Sequence, residues 1–388
     1  MADAPRRVCV VLVDRANYGR MRPVMQALAR DPEIELLTIC AGTMLLERFG
    51  MAANEVEQDG FRIDDRVYLE IEGSTPATMA KCIGLGVIEF TSALNRLAPD
   101  LLLMIGDRYE ALSAVIAAAY MNIPVAHIQG GEVSGSIDES TRHAITKLSH
   151  MHFPATERAA DYIRRMGEPA ETVHNVGCPV GDYILSLEGD LPREVFTRAS
   201  VGASVYPDAP YLLVIFHPVT TEIASQTYQV EQLLAALEQV GMPTVWLWPN
   251  VDAGSDQISK VLRKYREHNS DSWLCLLKNL PPVTYQKVLM RAACAVGNSS
   301  SFVRDSTFSG TPVVLVGNRQ EGREYGSNLI TCAAESASVL DSVTRQLAHG
   351  RYAIDGLYGI GDASPRIVEA VKAFRPRAQK RLSYIYET

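Results

Sequence analysis

Residues 101–131 read LLLMIGDRYEALSAVIAAAYMNIPVAHIQGG. Five apolar residues, Leu101–Ile105, stop at Gly106-Asp107-Arg108. A helical stretch rich in small residues, Ala111–Met121, follows, and a second apolar run, Val125–Ile128, stops at Gly130-Gly131. A short uninterrupted apolar run closed by turn residues is the mark of a strand buried on both faces, and a helix between two such strands makes a β-α-β unit. The alternation extends outward in both directions. Upstream lie Val8–Val13, a helix from about Met21 to Arg30, Glu35–Ile39 and a helix after Gly42-Thr43. Downstream come a helix over Thr141–Ser149, the segment His152–Ala155 and a helix near Glu157–Met166. A weaker pattern between Gly181 and Tyr211 reads as a link. Beyond it strands recur at Leu212–Phe216, Thr244–Trp248, Ser272–Leu277, Cys294–Val296 and Val313–Val316. The order predicts an α/β chain of two Rossmann-like domains, residues 1–180 and 190–364, with a central cleft. A last helix within 365–388, roughly Pro365–Leu382, is expected to cross back over the first domain. Ligands of such sheets sit at the C-terminal ends of the strands.

Composition narrows the function. The 388 residues carry a net charge of −8, with 47% hydrophobic and 21% charged residues. No basic stripe is present, which argues against a nucleic-acid partner, while a few arginines suffice for one small anion. No uninterrupted apolar stretch reaches the length of a membrane span, and Val8–Val13 is too short for a signal-peptide core. The seven cysteines form no CxxC pair, so reduced thiols in the cytoplasm are expected, with neither disulfides nor a structural metal.

The polar clusters fall where strands end. Asp14-Arg15-Ala16-Asn17-Tyr18-Gly19 follows the first strand without a GxGxxG fingerprint, which counts against a dinucleotide site, and Arg15 is placed to hold an anion. Asp107 and Arg108 end the 101–105 strand; Asp107 reads equally as a crevice carboxylate and as a helix N-cap. Residues 127–143, HIQGGEVSGSIDESTRH, gather Gln129, Glu132, Asp138, Arg142 and His143 in one glycine-rich stretch, more ionisable groups than structural duty needs. His217 closes the first strand of the second half. Gly297-Asn298-Ser299-Ser300-Ser301 reads as a phosphate cradle or as a plain serine N-cap. Arg319 and Arg323 are further cations for a diphosphate. No P-loop, HExxH or GxSxG occurs.

Taken in order, these segments resemble the hydrolysing UDP-N-acetylglucosamine 2-epimerases. Gly106-Asp107-Arg108, MNIPVAHIQGGEVSGSIDESTRHAITKLSHMHFPAT, GCP at 177–179, FHPVTTE at 216–222, PNVDAGS at 249–255, GNSS at 297–300 and GTP with GNRQEGRE at 310–324 carry the likeness. It implies a GT-B-like fold, a nucleotide-sugar partner, no cofactor, and assembly as a homodimer or homotetramer. The implied reaction eliminates UDP from C1 and the proton from C2, giving 2-acetamidoglucal, to which water adds to release N-acetylmannosamine. The resemblance makes Asp107, Glu132, Asp138 and His217 the catalytic candidates. Substrate contacts fall to Arg15, Asn17, Arg108, Gln129, Arg142, His143, Asn250, Asp252, Ser299, Ser300, Asp305 (a carboxylate for ribose hydroxyls) and Arg319. Two departures stand out. Relatives commonly have Asp where this chain has Asn17, and some place a catalytic Glu at the position of Gln129, whose amide cannot abstract a proton at neutral pH. Either Glu132 supplies the missing carboxylate, or the substrate or a step has changed. The competing readings are a 2-epimerase acting on a UDP- or GDP-linked diacetamido-trideoxy sugar, a GT-B glycosyltransferase, and a sugar-nucleotide sensor without turnover.

Overall fold

The computed structural model describes residues 4–73, 75–197, 200–250, 252–269, 273–375 and 380–383. Ser272 of the expected strand 272–277 and residues 376–379 of the expected last helix lie outside them. In the first half the elements are β1 Arg6–Leu12, α1 Arg15–Arg30, β2 Ile34–Ala41, α2 Ala53–Gln58, β3 Asp65–Val67, α3 Pro76–Leu97, β4 Leu101–Ile105, α4 Tyr109–Tyr120, β5 Val125–Ile128, α5 Asp138–Leu148, β6 Met151–Phe153, α6 Glu157–Arg165 and α7 Gly181–Ile184. The second half holds β7 Ser200–Gly202, β8 Leu212–Ile215, α8 Gln226–Val240, β9 Thr244–Leu247, α9 Ser255–His268, β10 Leu274–Leu277, α10 Pro282–Arg291, β11 Cys294–Gly297, α11 Ser300–Arg304, β12 Val313–Val316, β13 Leu329–Cys332 and α12 Ser336–His349. The helix α13, Ala363–Ala373, is the last element among the described residues.

Two Rossmann-like sheets result. The first runs β3-β2-β1-β4-β5-β6 and is parallel throughout; the second runs β13-β12-β11-β8-β9-β10-β7. Every pairing in the second is parallel except β7, which lies antiparallel on β10. The strand order reverses between β1 and β4 in one sheet and between β8 and β11 in the other. At such a point the two flanking connections leave in opposite directions and open a crevice at the strand ends. The residues after β1, β4, β8 and β11 are the polar clusters already singled out: Asp14-Arg15, Asp107-Arg108, His217 and Asn298-Ser299.

The strands that flank these crevices are buried on both faces. All five residues of β4 are buried, as are all four of β5, β8 and β11. Helix α1 begins at Arg15, earlier than its apolar periodicity suggests, because the Asp14 side chain accepts the Asn17 backbone N–H at 2.6 Å and caps the helix. Its first turn therefore stands at the crevice. The last helix is shorter than expected, ending at Ala373. Pro376 follows three residues later, and proline disfavours helical backbone before it. Ile367, Val368 and Val371 of α13 share a core with Val8, Val10, Tyr18 and Met21 of the first half.

Helix α3 is long and apolar enough to cross a membrane by length and composition alone. One side of it, Cys82, Gly86, Phe90, Ala93 and Leu94, is buried in the first half. The opposite side is bare.

Candidate active site

The two crevices open on one cleft, lined from the first half by Asp14, Arg15, Arg20, Asp107, Arg108, Ser134, Ser136 and Asp138. From the second half come His217, Asn250, Ser299–Ser301, Arg304, Asp305, Arg319, Gln320 and Arg323. The halves are tied across it. The Gly135 N–H donates to the Arg319 carbonyl at 3.1 Å, and a Cβ at Gly135 would lie 2.1 Å from the Asn318 carbonyl oxygen, so only glycine permits this approach. Arg108 donates to both oxygens of Glu110 at 3.1 and 2.9 Å and to Asp252 at 2.6 Å, spanning both halves. Arg15 ion-pairs Glu55 at 2.7 Å and donates to the Leu280 carbonyl at 3.1 Å.

Two carboxylates on the first-half wall are driven apart in proton affinity. Burial by itself would raise Asp107, but Arg142, which grips it through two nitrogens, together with Arg323 and Arg304 holds it well below the usual carboxylate range. Asp138 stands in the first turn of α5, accepting from Ser136 at 3.1 Å and from Arg319 at a long 3.5 Å. Burial, then the charge of Asp107, pushes it up to about 6, with Arg319 offsetting only in part. Unlike partners therefore give two neighbouring acids very different proton affinities. Asp107 does not cap a helix: the cap position before α4 belongs to Arg108, whose side chain makes no cap bond.

His217 faces them from the end of β8. Its N–H and C=O are held by the Asn298 amide at 2.7 and 2.8 Å, and the Asn250 N–H donates to its Nδ1 at 3.1 Å. With Nδ1 an acceptor, the proton sits on Nε2. Burial, with Arg319 close by, lowers its pKa to about 3, so the ring is neutral and offers an N–H donor. Beside it, Ser299 caps α11 and Ser300 Oγ accepts from Arg304 at 2.9 Å, one helical turn on. Asp305 is buried; Oδ2 accepts from Gln286 at 2.7 Å, while Oδ1 has no hydrogen-bond partner among the described residues.

Several expected site residues lie behind the wall instead of on it. Glu132 is buried and its Oε2 accepts from Arg304 at 2.8 Å and from Arg323. Those two arginines, followed by Arg142, keep it ionised against the opposing effect of burial. It is a counter-ion clasping the second half and does not replace a carboxylate at Gln129. Arg142 is likewise a support, joining Asp107 to the Glu132 carbonyl (2.7 Å) and Ser134 (3.1 Å). Asp252 backs Arg108 and Asn250. His143 pairs with Glu139 at 3.6 Å and does not line the cleft.

Gln129 and Asn17 surround a residue that the sequence reading missed. Arg20 lines the cleft, is buried, and donates to Gln129 Oε1 at 2.7 Å; the Gln129 amide in turn donates to Cys178 Sγ at 2.9 Å. No carboxylate pairs with Arg20 among the described residues, and both polar side-chain atoms of Asn17 are buried without partners. Both stand beside Gly106, whose φ of +83 favours glycine: Arg20 Nη2 and Asn17 Nδ2 lie at ordinary contact distance, 3.6 and 3.7 Å, from where its Cβ would be. Burial, then Arg304, lowers the pKa of Arg20. Two amides, with no ion-paired carboxylate among the described residues, flank this guanidinium, and the nearby charges of Asp14 and Asp107 oppose the effect of its burial only in part. Arg304 was missed as well, although its i+4 spacing from Ser300 places the two on one helix face.

Comparison with known proteins identifies the family. Residues 26–372 match the family described as UDP-N-acetylglucosamine 2-epimerase. A protein of Legionella pneumophila named UDP-N,N'-diacetylbacillosamine 2-epimerase (hydrolyzing) is 33% identical over 374 residues, 96% of this chain and 97% of that one. A UDP-N-acetylglucosamine 2-epimerase of Neisseria meningitidis is 30% identical, covering 97% of this chain and 98% of its own length. The crystal structure of the Methanocaldococcus jannaschii UDP-GlcNAc 2-epimerase in complex with UDP-GlcNAc and UDP shares the fold, with TM-score 0.80 at 17% identity over 95% of this chain and all of that one. The chain belongs to the UDP-N-acetylglucosamine 2-epimerase family.

Proposed function

We propose that this member of the UDP-N-acetylglucosamine 2-epimerase family is a hydrolysing 2-epimerase that converts UDP-N-acetylglucosamine to N-acetylmannosamine and UDP. The observation that carries the reading is the pair Asp107 and Asp138, set to different proton affinities opposite a cradle of serines, arginines and a neutral histidine. Epimerising C2 through elimination requires a group that exchanges a proton near neutrality and an anion that tolerates the positive charge building at C1 as the C1–O bond breaks. Asp138 is assigned the first role and Asp107 the second. Ser299, Ser300, Arg319 and the Nε2–H of His217 receive the charge on the departing diphosphate, and Arg15 supports it from the first half. The unpaired Asp305 Oδ1 accepts a ribose hydroxyl. After UDP has left, water adds across C1–C2, and the proton enters C2 from the face opposite to the one it left, inverting the centre.

Arg20, which lines the cleft beside Gln129 and Asn17 with no carboxylate ion-paired to it among the described residues, favours a second reading of the sugar. An additional acceptor on the substrate, such as the carbonyl oxygen of a second acylamino group, would add a charge-assisted hydrogen bond from that guanidinium. The substrate would then be a UDP- or GDP-linked diacetamido-trideoxy sugar. Proton and phosphorus NMR in heavy water, with each sugar nucleotide in turn, tests both. Release of UDP with deuterium at C2 of an inverted product supports the 2-epimerase, and the ratio of kcat/KM values assigns the sugar. Transfer of the sugar to an acceptor, with no turnover in its absence, would overturn the reading in favour of a glycosyltransferase.

A further inference from the structure

Ser136-Ile137-Asp138-Glu139 has the spacing of a capping box, in which the serine hydroxyl accepts the N–H of the residue three on and the carboxylate of that residue accepts the N–H of the serine. The structure does not form it. Helix α5 starts without a side-chain cap: the Glu139 N–H donates to the Ser136 carbonyl at 3.1 Å, and Glu139 Oε2 accepts the N–H of Ser134 at 2.8 Å. The Ser136 hydroxyl donates to Asp138 Oδ2 at 3.1 Å. A group that local chemistry would give to the helix end is turned to the acid in the cleft, which both residues line. The stretch that carries it is fixed at its two preceding residues. Ser134 Oγ accepts from Arg142 at 3.1 Å, and the Gly135 N–H donates across the cleft to the Arg319 carbonyl. The guanidinium of the same Arg319 reaches Asp138 at 3.5 Å, again on Oδ2. Both donors to Asp138 therefore meet one oxygen, and no donor reaches Oδ1 among the described residues.

We infer that Ser136 is a positioning residue, which holds Asp138 through Oδ2 and so presents Oδ1 to the proton at C2 of the sugar. The inference rests on the reading of Asp138 as the group that exchanges that proton. A carboxylate bound through one oxygen keeps the lone pairs of the other for the substrate. Of the two holds on Oδ2, the serine is the shorter, and a contact of 3.5 Å from Arg319 is at the limit of a hydrogen bond. A hydroxyl that donates to a carboxylate also favours its ionised form, the form a base needs. Besides burial, the groups that act on Asp138 are Asp107 and Arg108 after β4, with Arg319 and Asp252 from the second half. A substitution at Ser136 alters none of them, so its effect on Asp138 is read by itself.

The test is a set of pH–rate profiles for the full chain, taken with whichever of the two sugar nucleotides has the higher kcat/KM, beside thermal melting and calorimetric titration with UDP. The proteins are the wild type, Ser136→Ala, Ser136→Thr and Asp138→Asn. Ser136→Ala should lower the kcat plateau roughly tenfold and move the acid limb of kcat/KM up by about half to one pH unit, the worth of one hydrogen bond to the anion. Its Tm and its affinity for UDP should match the wild type, because the hydroxyl caps no helix and is assigned no contact with the nucleotide. Ser136→Thr, which keeps the hydroxyl, should recover both the plateau and the limb. A wild type without turnover, or an Asp138→Asn variant that keeps the limb, overturns the reading of Asp138 and this inference with it. The inference alone is overturned when Asp138→Asn loses the limb but Ser136→Ala keeps the wild-type limb and plateau, or when Ser136→Thr is no better than Ser136→Ala. A Ser136→Ala variant that melts lower with its limb in place also overturns it, since that is the mark of a lost helix cap.

Discussion

Glu132→Gln separates a clasp from a catalyst. The substitution keeps the size of the side chain and removes only its charge. In the native chain one Glu132 oxygen accepts from both Arg304 and Arg323, and all three residues are at least nine-tenths buried. The variant leaves two buried guanidinium groups without their common anion, and breaking a buried pair from one side costs about 3–5 kcal/mol. For 388 residues unfolding together that lowers Tm by roughly 4–6 °C, and by about twice as much if the two halves unfold separately. Both arginines line the cleft, so UDP should bind at least as tightly as before and restore part of the lost Tm, since a ligand that binds only the folded state stabilises it. Differential scanning fluorimetry with and without UDP, beside steady-state kinetics, measures each quantity. A variant that melts like the wild type but has lost a hundredfold or more in kcat would refute the clasp, because that is the signature of a proton-transferring group.

Asp138→Asn should lower kcat by about 10²–10⁴-fold, the usual worth of general acid–base catalysis. A base works only when ionised, and the Asp138 pKa is raised to about 6, so wild-type kcat/KM should fall as pH drops through about 6; pH–rate profiles should show that limb missing in the variant. Gln129→Glu places a carboxylate within reach of Arg20 and neutralises it. A sugar nucleotide that uses the guanidinium should then bind roughly tenfold or more weakly, by the worth of one charge-assisted hydrogen bond, as read by calorimetric titration. His217→Gln should lower kcat without moving the pH profile between 5 and 8, since burial keeps the native ring neutral throughout that range.

The strands that build the two switch points were legible because each is buried on both faces and reads as an uninterrupted apolar run. Elements at the sheet edges were not: β13 buries only its first residue, Leu329, and β7 is three mostly exposed residues. The density of ionisable groups at 127–143 was legible in the sequence, but its members could not be sorted. Asp138 entered the cleft, while Glu132 and Arg142 became supports behind it.

By itself, then, the sequence determined the alternation of strands and helices, the two sheets, and the strand ends at which polar groups collect, since those follow from local periodicity and turn chemistry. Only the tertiary structure decided what each polar group does. Glu132 meets Arg304 and Arg323 from 172 and 191 positions away. Asp107 and Asp138 differ because Arg142 grips one and a distant Arg319 barely reaches the other. Proton affinity and ion pairing depend on burial and on charges a few ångströms away, and folding draws those neighbours from anywhere in the chain.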